Sequence, residues 1–195
     1  MDQSLNAETE TASTAERLLL AAEQLVVGEG VHALSVRRIA GLAGVNSALI
    51  RYHFGGSAGL LRELALRNAA RIAQAREALL AIEGGFAEAV EALIQPLWAP
   101  AAMGDDYRAI VVLDEIFSRA SPELRSEIWA VFADGVARVT DWLARVLPDV
   151  ASELLVWRIR FVTAAALDVP PRGVRVGDDS RLEQFRLFAL HALRA

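Results

Sequence analysis

Apolar residues recur at helical spacing through almost the whole chain, and no stretch has the alternation or hairpin turns of a β-protein. The first amphipathic segment follows residues 13–16, STAE, which have the form of a capping box, and it ends at residues 28–30, GEG. Its apolar stripe consists of Leu18, Ala22, Leu25 and Val26. The pattern therefore predicts an all-α chain that opens with a capped helix.

Two short helices joined by a tight turn are predicted next. Ser35 is a favourable N-cap for a two-turn helix. The apolar positions of that helix are Val36, Ile39, Ala40 and Ala43. Gly44 supplies the left-handed conformation that ends it, and Asn46 is again an N-cap residue, here for a second helix over residues 47–53. This arrangement is a helix-turn-helix, whose second helix enters the major groove of DNA.

The same stretch is a basic island in an acidic chain. The formal net charge of the chain is -5, yet no Asp or Glu lies between residues 31 and 62. That window contains Arg37, Arg38, Arg51 and Arg62. Elsewhere sixteen arginines face twenty-five acidic residues, and lysine is absent. Because phosphate contacts supply most of the non-specific affinity for DNA, an acid-free basic surface indicates DNA binding.

The side chains of the helix-turn-helix divide into a core set and a groove set. The core set is Ile39, Leu42 or Ala43, Val45, Leu49, Ile50 and Phe54. The groove set is Arg37, Arg38, Asn46, Ser47, Ala48, Arg51, Tyr52 and His53. The apolar members are needed to hold three short helices together, so the remaining side chains are free to meet DNA.

Six further helices are predicted beyond this head, for a total of about nine. They span residues 57–82, 86–98 with Pro96 forcing a kink or an end, 105–119, 121–147, 151–167 and 180–194. Residues 170–179 are predicted to form a loop. On the first of these helices Arg62, Arg67, Arg71 and Arg76 are interpreted as a solvated face. The predicted organisation is a disordered arm over residues 1–12, a DNA-binding domain over 13–57 and a helical body over 58–195.

Three motifs resemble the DNA-binding signature of the TetR family of one-component bacterial regulators. They are SVRRIA at residues 35–40, AGVN at 43–46 and YHFG at 52–55. The resemblance implies a dimeric regulator, in most cases a repressor, that binds a palindromic operator and leaves it when a small hydrophobic effector binds the helical body. Residues 58–195 are then the ligand-binding and dimerisation domain. It also implies base contacts from Ser47, Ala48 and Arg51 and phosphate contacts from Ser35, Arg38, Tyr52 and His53. Where the family often has Lys-Glu, this chain has Ser57 and Ala58, so Ser57 is expected to cap its helix and leave the free N–H groups for a phosphate.

The helical body contains most of the aromatic residues and a few charges inside apolar runs. We predict a ligand pocket formed by Trp98, Met103, Tyr107, Asp114, Phe117, Trp129, Phe132, Arg158 and Phe161. Aromatic residues at helical spacing are more often core than pocket, and both interpretations stay open here. An inward arginine that faces Asp114 would form a buried ion pair, whereas one that faces a cavity would suit an anionic, acyl-type effector.

The last two helices are apolar around too much of their circumference to be solvated on all sides. The resemblance implies that they pack against their copies in a four-helix dimer interface. The predicted interface residues are Leu154, Phe161, Leu182, Phe185, Phe188 and Leu193. A dimer also fits the function, because two heads can bind successive major grooves.

Several classes of function lack support in the sequence. The chain has no cysteine and three scattered histidines, so neither His32 nor His53 is expected to bind a metal, and no cofactor is expected. It contains no glycine-rich phosphate loop and no nucleophile elbow, which argues against an enzyme. No membrane-spanning run or leader peptide is recognised, which predicts a cytoplasmic protein. The alternative to a regulator is an interaction module that kept this fold but lost specific DNA binding.

Overall fold

The computed structural model describes residues 13–168 and 179–194, and these residues form an all-α structure, as predicted. Their nine α-helices are α1 (Thr14–Glu29), α2 (Val36–Ala43), α3 (Ala48–Phe54), α4 (Ser57–Leu80), α5 (Phe86–Ile94), α6 (Ala109–Phe117), α7 (Pro122–Val146), α8 (Ser152–Ala165) and α9 (Asp179–Arg194). Short 3₁₀ helices cover Val31–Ala33, Gln95–Trp98 and Ala166–Asp168. The predicted arm over residues 1–12 and nearly all of the predicted loop over residues 170–179 lie outside the described residues.

Local capping chemistry fixes several helix ends where the sequence places them. Ser13 and Glu16 form the reciprocal capping box of α1, and the Ser35 hydroxyl accepts a hydrogen bond from the Arg38 amide. Gly44 ends α2 with a φ of 64°, in the left-handed region that glycine adopts without strain. The Ser121 hydroxyl accepts from the Leu124 amide at the start of α7. These bonds satisfy backbone N–H groups that a helix leaves without partners.

Other helix limits differ from the prediction because the backbone forms different bonds. The helix predicted over residues 105–119 begins only at Ala109, since a preceding turn takes the chain out of helical geometry. In that turn the Ala101 amide donates to the Tyr107 carbonyl at 2.8 Å and the Ala109 amide to the Ala99 carbonyl at 2.9 Å. The segment predicted over 86–98 is helical to Ile94 and then tightens into a 3₁₀ turn that contains Pro96.

The head consists of α1, α2 and α3 around a small apolar core. Leu18 and Ala22 of α1, Ile39 of α2 and Ile50 of α3 are buried there. Of the two alternatives for the core position in α2, Ala43 is buried and Leu42 is exposed. Burial of this kind is the main stabilising term for helices too short to persist alone.

Helix α4 is shared between the head and the body. Its first turn packs beside α3, and farther along it packs against α5, α6 and α7. The buried face of α4 consists of Leu60, Leu64, Ala65, Asn68, Ala69, Ile72 and Arg76. Helices α8 and α9 pack on the far side of the body. None of the helices in the described ranges is long and apolar enough to cross a membrane.

Candidate DNA-binding surface and helical cavity

The ten side chains predicted to meet DNA are all exposed on the head. They come from the start of α2, from the turn, from α3 and from the first residue of α4. Tyr52 is 81% exposed, and its ring meets the His53 ring edge to face, with the centroids 4.9 Å apart. The ring and hydroxyl of Tyr52 are therefore accessible to a binding partner.

The four arginines of the basic island are exposed but not equivalent. Arg38 forms an ion pair with Glu29 at the end of α1, and Arg62 forms one with Glu127 of α7. Over residues 13–168 and 179–194, no ion pair is found for Arg37 or Arg51. The sequence window had suggested four arginines without acidic neighbours, but folding brings acids to two of them. Exposed ion pairs contribute little free energy, so Arg38 can exchange Glu29 for a phosphate.

The turn between α2 and α3 is fixed by side-chain bonds from two directions. The N-cap of α3 is Ser47 and not Asn46 as predicted, but the Asn46 carboxamide oxygen still accepts from the Ala48 amide at 2.8 Å and so holds the first residue of the helix. Arg17 of α1 donates a hydrogen bond to the Ala43 carbonyl at 2.6 Å, and this carbonyl at the end of α2 thereby gains a partner. These contacts hold the start of α3, where the proposed base contacts lie, at a defined angle.

Gly59 sets the angle between α3 and α4. A Cβ at this position would lie 1.9 Å from the Phe54 carbonyl oxygen, a distance that requires the backbone to move. Gly59→Ala should therefore tilt α3 away from α4, lower the free energy of unfolding by about 1–3 kcal/mol and weaken DNA binding. Urea denaturation and fluorescence anisotropy with labelled DNA would measure the two effects.

Gly28→Ala is the matched control for Gly59→Ala. It lies in α1, and a Cβ there would meet no atom within 4 Å. This substitution should leave DNA binding unchanged and raise the free energy of unfolding by about 0.5–1 kcal/mol. If Gly59→Ala behaves like Gly28→Ala, the close approach of α4 to Phe54 does not orient α3.

Ser57 does not cap α4, contrary to the prediction. The N-cap residue is Gly56, which has no side chain, and Ser57 is the exposed first residue of the helix. No side-chain bond closes this helix end, so its first N–H groups face outward and carry the positive end of the helix dipole. A phosphate could bind these groups without the lysine that is missing here.

A cavity of about 550 Å³ lies between α4, α7 and α8 in the body. Its walls are mostly apolar. The lining residues are Ile72, Arg76, Leu93, Leu97, Ile110, Trp129, Phe132, Val136, Thr140, Val156, Ile159, Arg160 and Thr163. Apolar cavities of this volume are typical of sites for small organic molecules.

Only two of the nine predicted pocket residues, Trp129 and Phe132, line this cavity. Trp98 instead packs against Phe185, with ring centroids 5.0 Å apart, and Arg158 donates to the Leu193 carbonyl at 3.0 Å. The others that lie elsewhere are Met103, Tyr107, Asp114, Phe117 and Phe161. Both interpretations of the aromatic residues hold in part, since Trp98 packs within the protomer whereas Trp129 and Phe132 line the cavity. The helix crossings that create the cavity have no local sequence signal.

Arg76 is the polar cavity residue that sequence reasoning missed. It was interpreted as part of a solvated face, yet it is only 3% exposed. The spacing contained a signal, since Ala65, Ala69 and Ile72 precede Arg76 at intervals of three or four residues on one face of α4. An arginine that extends an apolar stripe by one turn is therefore a candidate inward side chain.

Exposed apolar side chains lie together on α8 and α9. Phe161 is 65% exposed and Trp157 is 53% exposed, and their rings stack with centroids 6.0 Å apart. The other members of this patch are Leu154, Leu187 and Phe188. Two predicted interface residues are not on the surface. Phe185 and Leu193 belong to the opposite face of α9 and are buried in the protomer itself, and Leu182 is half-buried.

A buried polar cluster connects the head with the body. Glu23 of α1 accepts hydrogen bonds from the Asn68 carboxamide of α4 at 3.2 Å and from the Met103 amide at 3.1 Å. Asn68 in turn accepts from the Ala102 amide at 3.1 Å. Burial raises the pKa of Glu23 against the opposing effect of these donors. The cluster ties α1 to the turn that precedes α6, and Ile110 of α6 lines the cavity.

Two family models match the chain, one on each part. "Bacterial regulatory proteins, tetR family" matches residues 18–64, and "Tetracyclin repressor-like, C-terminal domain" matches residues 91–170. No curated protein sequence matches the chain significantly.

Several crystal structures have the same fold. PfmR of Thermus thermophilus, a TetR family transcriptional regulator, is 21% identical with a TM-score of 0.65, and the match covers 92% of this chain and 95% of PfmR. AmtR of Mycobacterium smegmatis is 22% identical with a TM-score of 0.61 and coverage of 97% and 89%. EbrR, a multidrug binding protein in complex with imidazole, is 23% identical with a TM-score of 0.54 and coverage of 94% and 96%. At these identities the likeness is one of fold.

A helix-turn-helix head with an exposed basic face, joined by one long helix to an all-helical body, defines a DNA-binding transcriptional regulator. The two family models cover the head and the body in the expected order. The chain belongs to the TetR family, whose members act as DNA-binding regulators and not as enzymes.

Proposed function

We propose that the chain is a homodimeric repressor that binds a palindromic operator and leaves it when a small hydrophobic effector occupies the cavity. The main observation in support of this proposal is that α4 extends from the head into the body. Its first turn adjoins the DNA-binding surface, and Ile72 and Arg76 of the same helix line the cavity. Ile72 lies about 22 Å along the helix axis from Ser57, so an effector and a half-site contact one continuous element.

In this proposal the exposed side chains of the head make two kinds of contact with DNA. Ser47, Ala48 and Arg51 meet base edges, while Ser35, Arg38, Tyr52, His53 and the start of α4 at Ser57 bind phosphates. Arg37 and Asn46 complete the surface. The predicted domain limits are retained, with residues 13–57 for DNA and residues 58–195 for effector and dimer.

The exposed patch on α8 and α9 is proposed as the dimer interface. Its aromatic members are large and cluster on one side of the body, as expected for a surface that a second copy covers. Two heads in a symmetric dimer can engage half-sites one helical turn apart. The protein would act in the cytoplasm, where its operator DNA lies.

Effector binding would act by favouring a body conformation with a different α4 direction. The effector needs only to bind that conformation more tightly than the DNA-bound one. The direction of α4 is one connection between the cavity and the head. The hydrogen-bonded cluster of Glu23, Asn68 and the Met103 amide is a second connection, because it joins α1 of the head to the turn before α6. Neither connection needs direct contact between the effector and the head.

Selection of genomic DNA fragments by the purified protein, followed by gel shift, tests the proposal. We expect a specific palindromic fragment, with the region upstream of the protein's own gene as the first candidate. Failure to shift any genomic fragment specifically would support the alternative, an interaction module with this fold that has lost operator binding.

A further inference from the structure

Arg76 is a buried cation inside an otherwise apolar part of the body. It is 3% exposed, and burial lowers its pKa to about 10. At neutral pH the guanidinium therefore stays charged, although its environment disfavours the charge. A buried charge without a counter-ion destabilises a fold, so the burial of the Arg76 guanidinium requires an explanation.

Arg76 has no ion-pair partner within the described ranges, although the charge of the adjacent Glu77 favours its protonated form. Its Nε donates to the Ala92 carbonyl at 3.3 Å, and no carboxylate of those residues pairs with it. The adjacent Glu77 is engaged by Arg138, which donates to its two oxygens at 2.8 and 2.9 Å. The guanidinium of Arg76 thus keeps a full charge and unused donors.

The unused donors of Arg76 open to the cavity. Among the residues that the structure describes, every fully enclosed side-chain nitrogen or oxygen has a hydrogen-bond partner. The two terminal nitrogens of Arg76 have none there, so they are not fully enclosed, and Arg76 lines the cavity. Gly135 of α7 makes room for this side chain, since a Cβ there would lie 3.2 Å from the Arg76 Cδ.

Other polar groups in the cavity are already occupied or lie near its opening. The Thr140 hydroxyl donates to the Val136 carbonyl and the Thr163 hydroxyl to the Ile159 carbonyl, both at 2.9 Å. Arg160 is exposed, with its guanidinium 5.2 Å from the Trp157 ring centre. The deep donor is therefore Arg76, and the remaining inner walls are apolar.

We propose that the cavity binds an amphipathic carboxylate whose anionic end pairs with Arg76 and whose apolar body fills the space between α7 and α8. A guanidinium can bind a carboxylate through two parallel hydrogen bonds, and one carboxylate neutralises one buried charge. The volume of about 550 Å³ accepts a small acyl-type molecule. This inference rests on the proposed function in taking the cavity as the effector site, and it adds the chemical class of the effector.

Three probes of equal chain length test the proposal: decanoate, decanol and decylamine, each below its micelle concentration. Calorimetry and thermal denaturation of the full chain should show decanoate binding tighter than decanol by about 10- to 100-fold, with decylamine the weakest. Arg76→Met should remove the preference for decanoate. It should also raise the melting temperature of the ligand-free protein, because it removes an unpaired buried charge.

Arg71→Met is the matched control, because Arg71 is an exposed arginine on the same helix. It should keep the decanoate preference of the wild type. If Arg76→Met does not fold, Arg76→Gln replaces it. That variant removes the charge but keeps a polar side chain, and it should weaken decanoate binding while it leaves decanol binding close to the wild-type value.

The proposal is overturned if the wild type binds none of the three probes or binds decanol as tightly as decanoate. It is also overturned if the Arg76→Met or Arg76→Gln variant keeps the preference for decanoate. Its failure is distinguishable from failure of the proposed function. A protein that binds an operator but shows no decanoate preference contradicts the effector class alone. A protein that prefers decanoate through Arg76 but binds no DNA specifically contradicts the proposed function alone.

Discussion

Alanine at both Arg51 and Tyr52 is expected to weaken operator binding by about 1000-fold or more, because a dimer loses two contacts at each half-site and each such contact is worth about 1–3 kcal/mol. Arg51 has no ion pair in the described parts of the chain, and Tyr52 is almost fully exposed. Neither side chain supports the core. The free energy of unfolding should therefore change little, and fluorescence anisotropy at fixed salt would measure the loss of affinity.

Arg71→Ala is the control for this double variant. It removes a positive charge of the same kind from an exposed position of α4 outside the basic island. Operator affinity should stay close to that of the wild type. If the double variant still binds operator DNA with wild-type affinity, α3 is not the recognition helix, and the interaction-module alternative gains support.

Glutamate at both Trp157 and Phe161 is expected to convert the dimer into a monomer at micromolar concentration. These stacked rings are more than half exposed in the protomer and lie at the centre of the proposed interface. In a symmetric dimer four carboxylates would be placed in an apolar contact without partners. Operator affinity should fall by about 100- to 10,000-fold, since the second head is no longer held near its half-site. Light scattering after size-exclusion chromatography would measure the mass.

Ile82→Glu is the control for the dimer variant. Ile82 is also a large exposed apolar residue, but it follows the end of α4 and belongs to neither α8 nor α9. The control should remain dimeric and bind the operator. A Trp157→Glu and Phe161→Glu variant that keeps the dimeric mass would place the interface elsewhere on the body.

The head was largely predictable because its structure depends on short-range chemistry. The capping box at Ser13, the N-cap at Ser35 and the left-handed glycine at Gly44 each act within a few residues. The exceptions in the head come from contacts between distant residues. Glu29 pairs with Arg38 across the end of α1, and no pattern local to the basic island contains that information.

The cavity and the α9 surface were less predictable because they depend on which face of each helix turns inward. Phe185, Ala189 and Leu193 form one buried stripe of α9, while Leu187 and Phe188 face outward. A helix that is apolar on most sides gives no periodic signal to separate these faces. Arg76 differs, because its place on the apolar stripe of α4 was a local signal, and the packing of α4 against α7 accounts for its burial.

Hydroxyl-radical footprinting of the protein on its selected operator tests the central claim most directly. A dimer should protect two patches on the same face of the DNA, one for each head, with centres about 34–36 Å apart. Both patches should appear at the same protein concentration. A single protected patch, or protection that does not depend on DNA sequence, would contradict a dimeric repressor on a palindromic site.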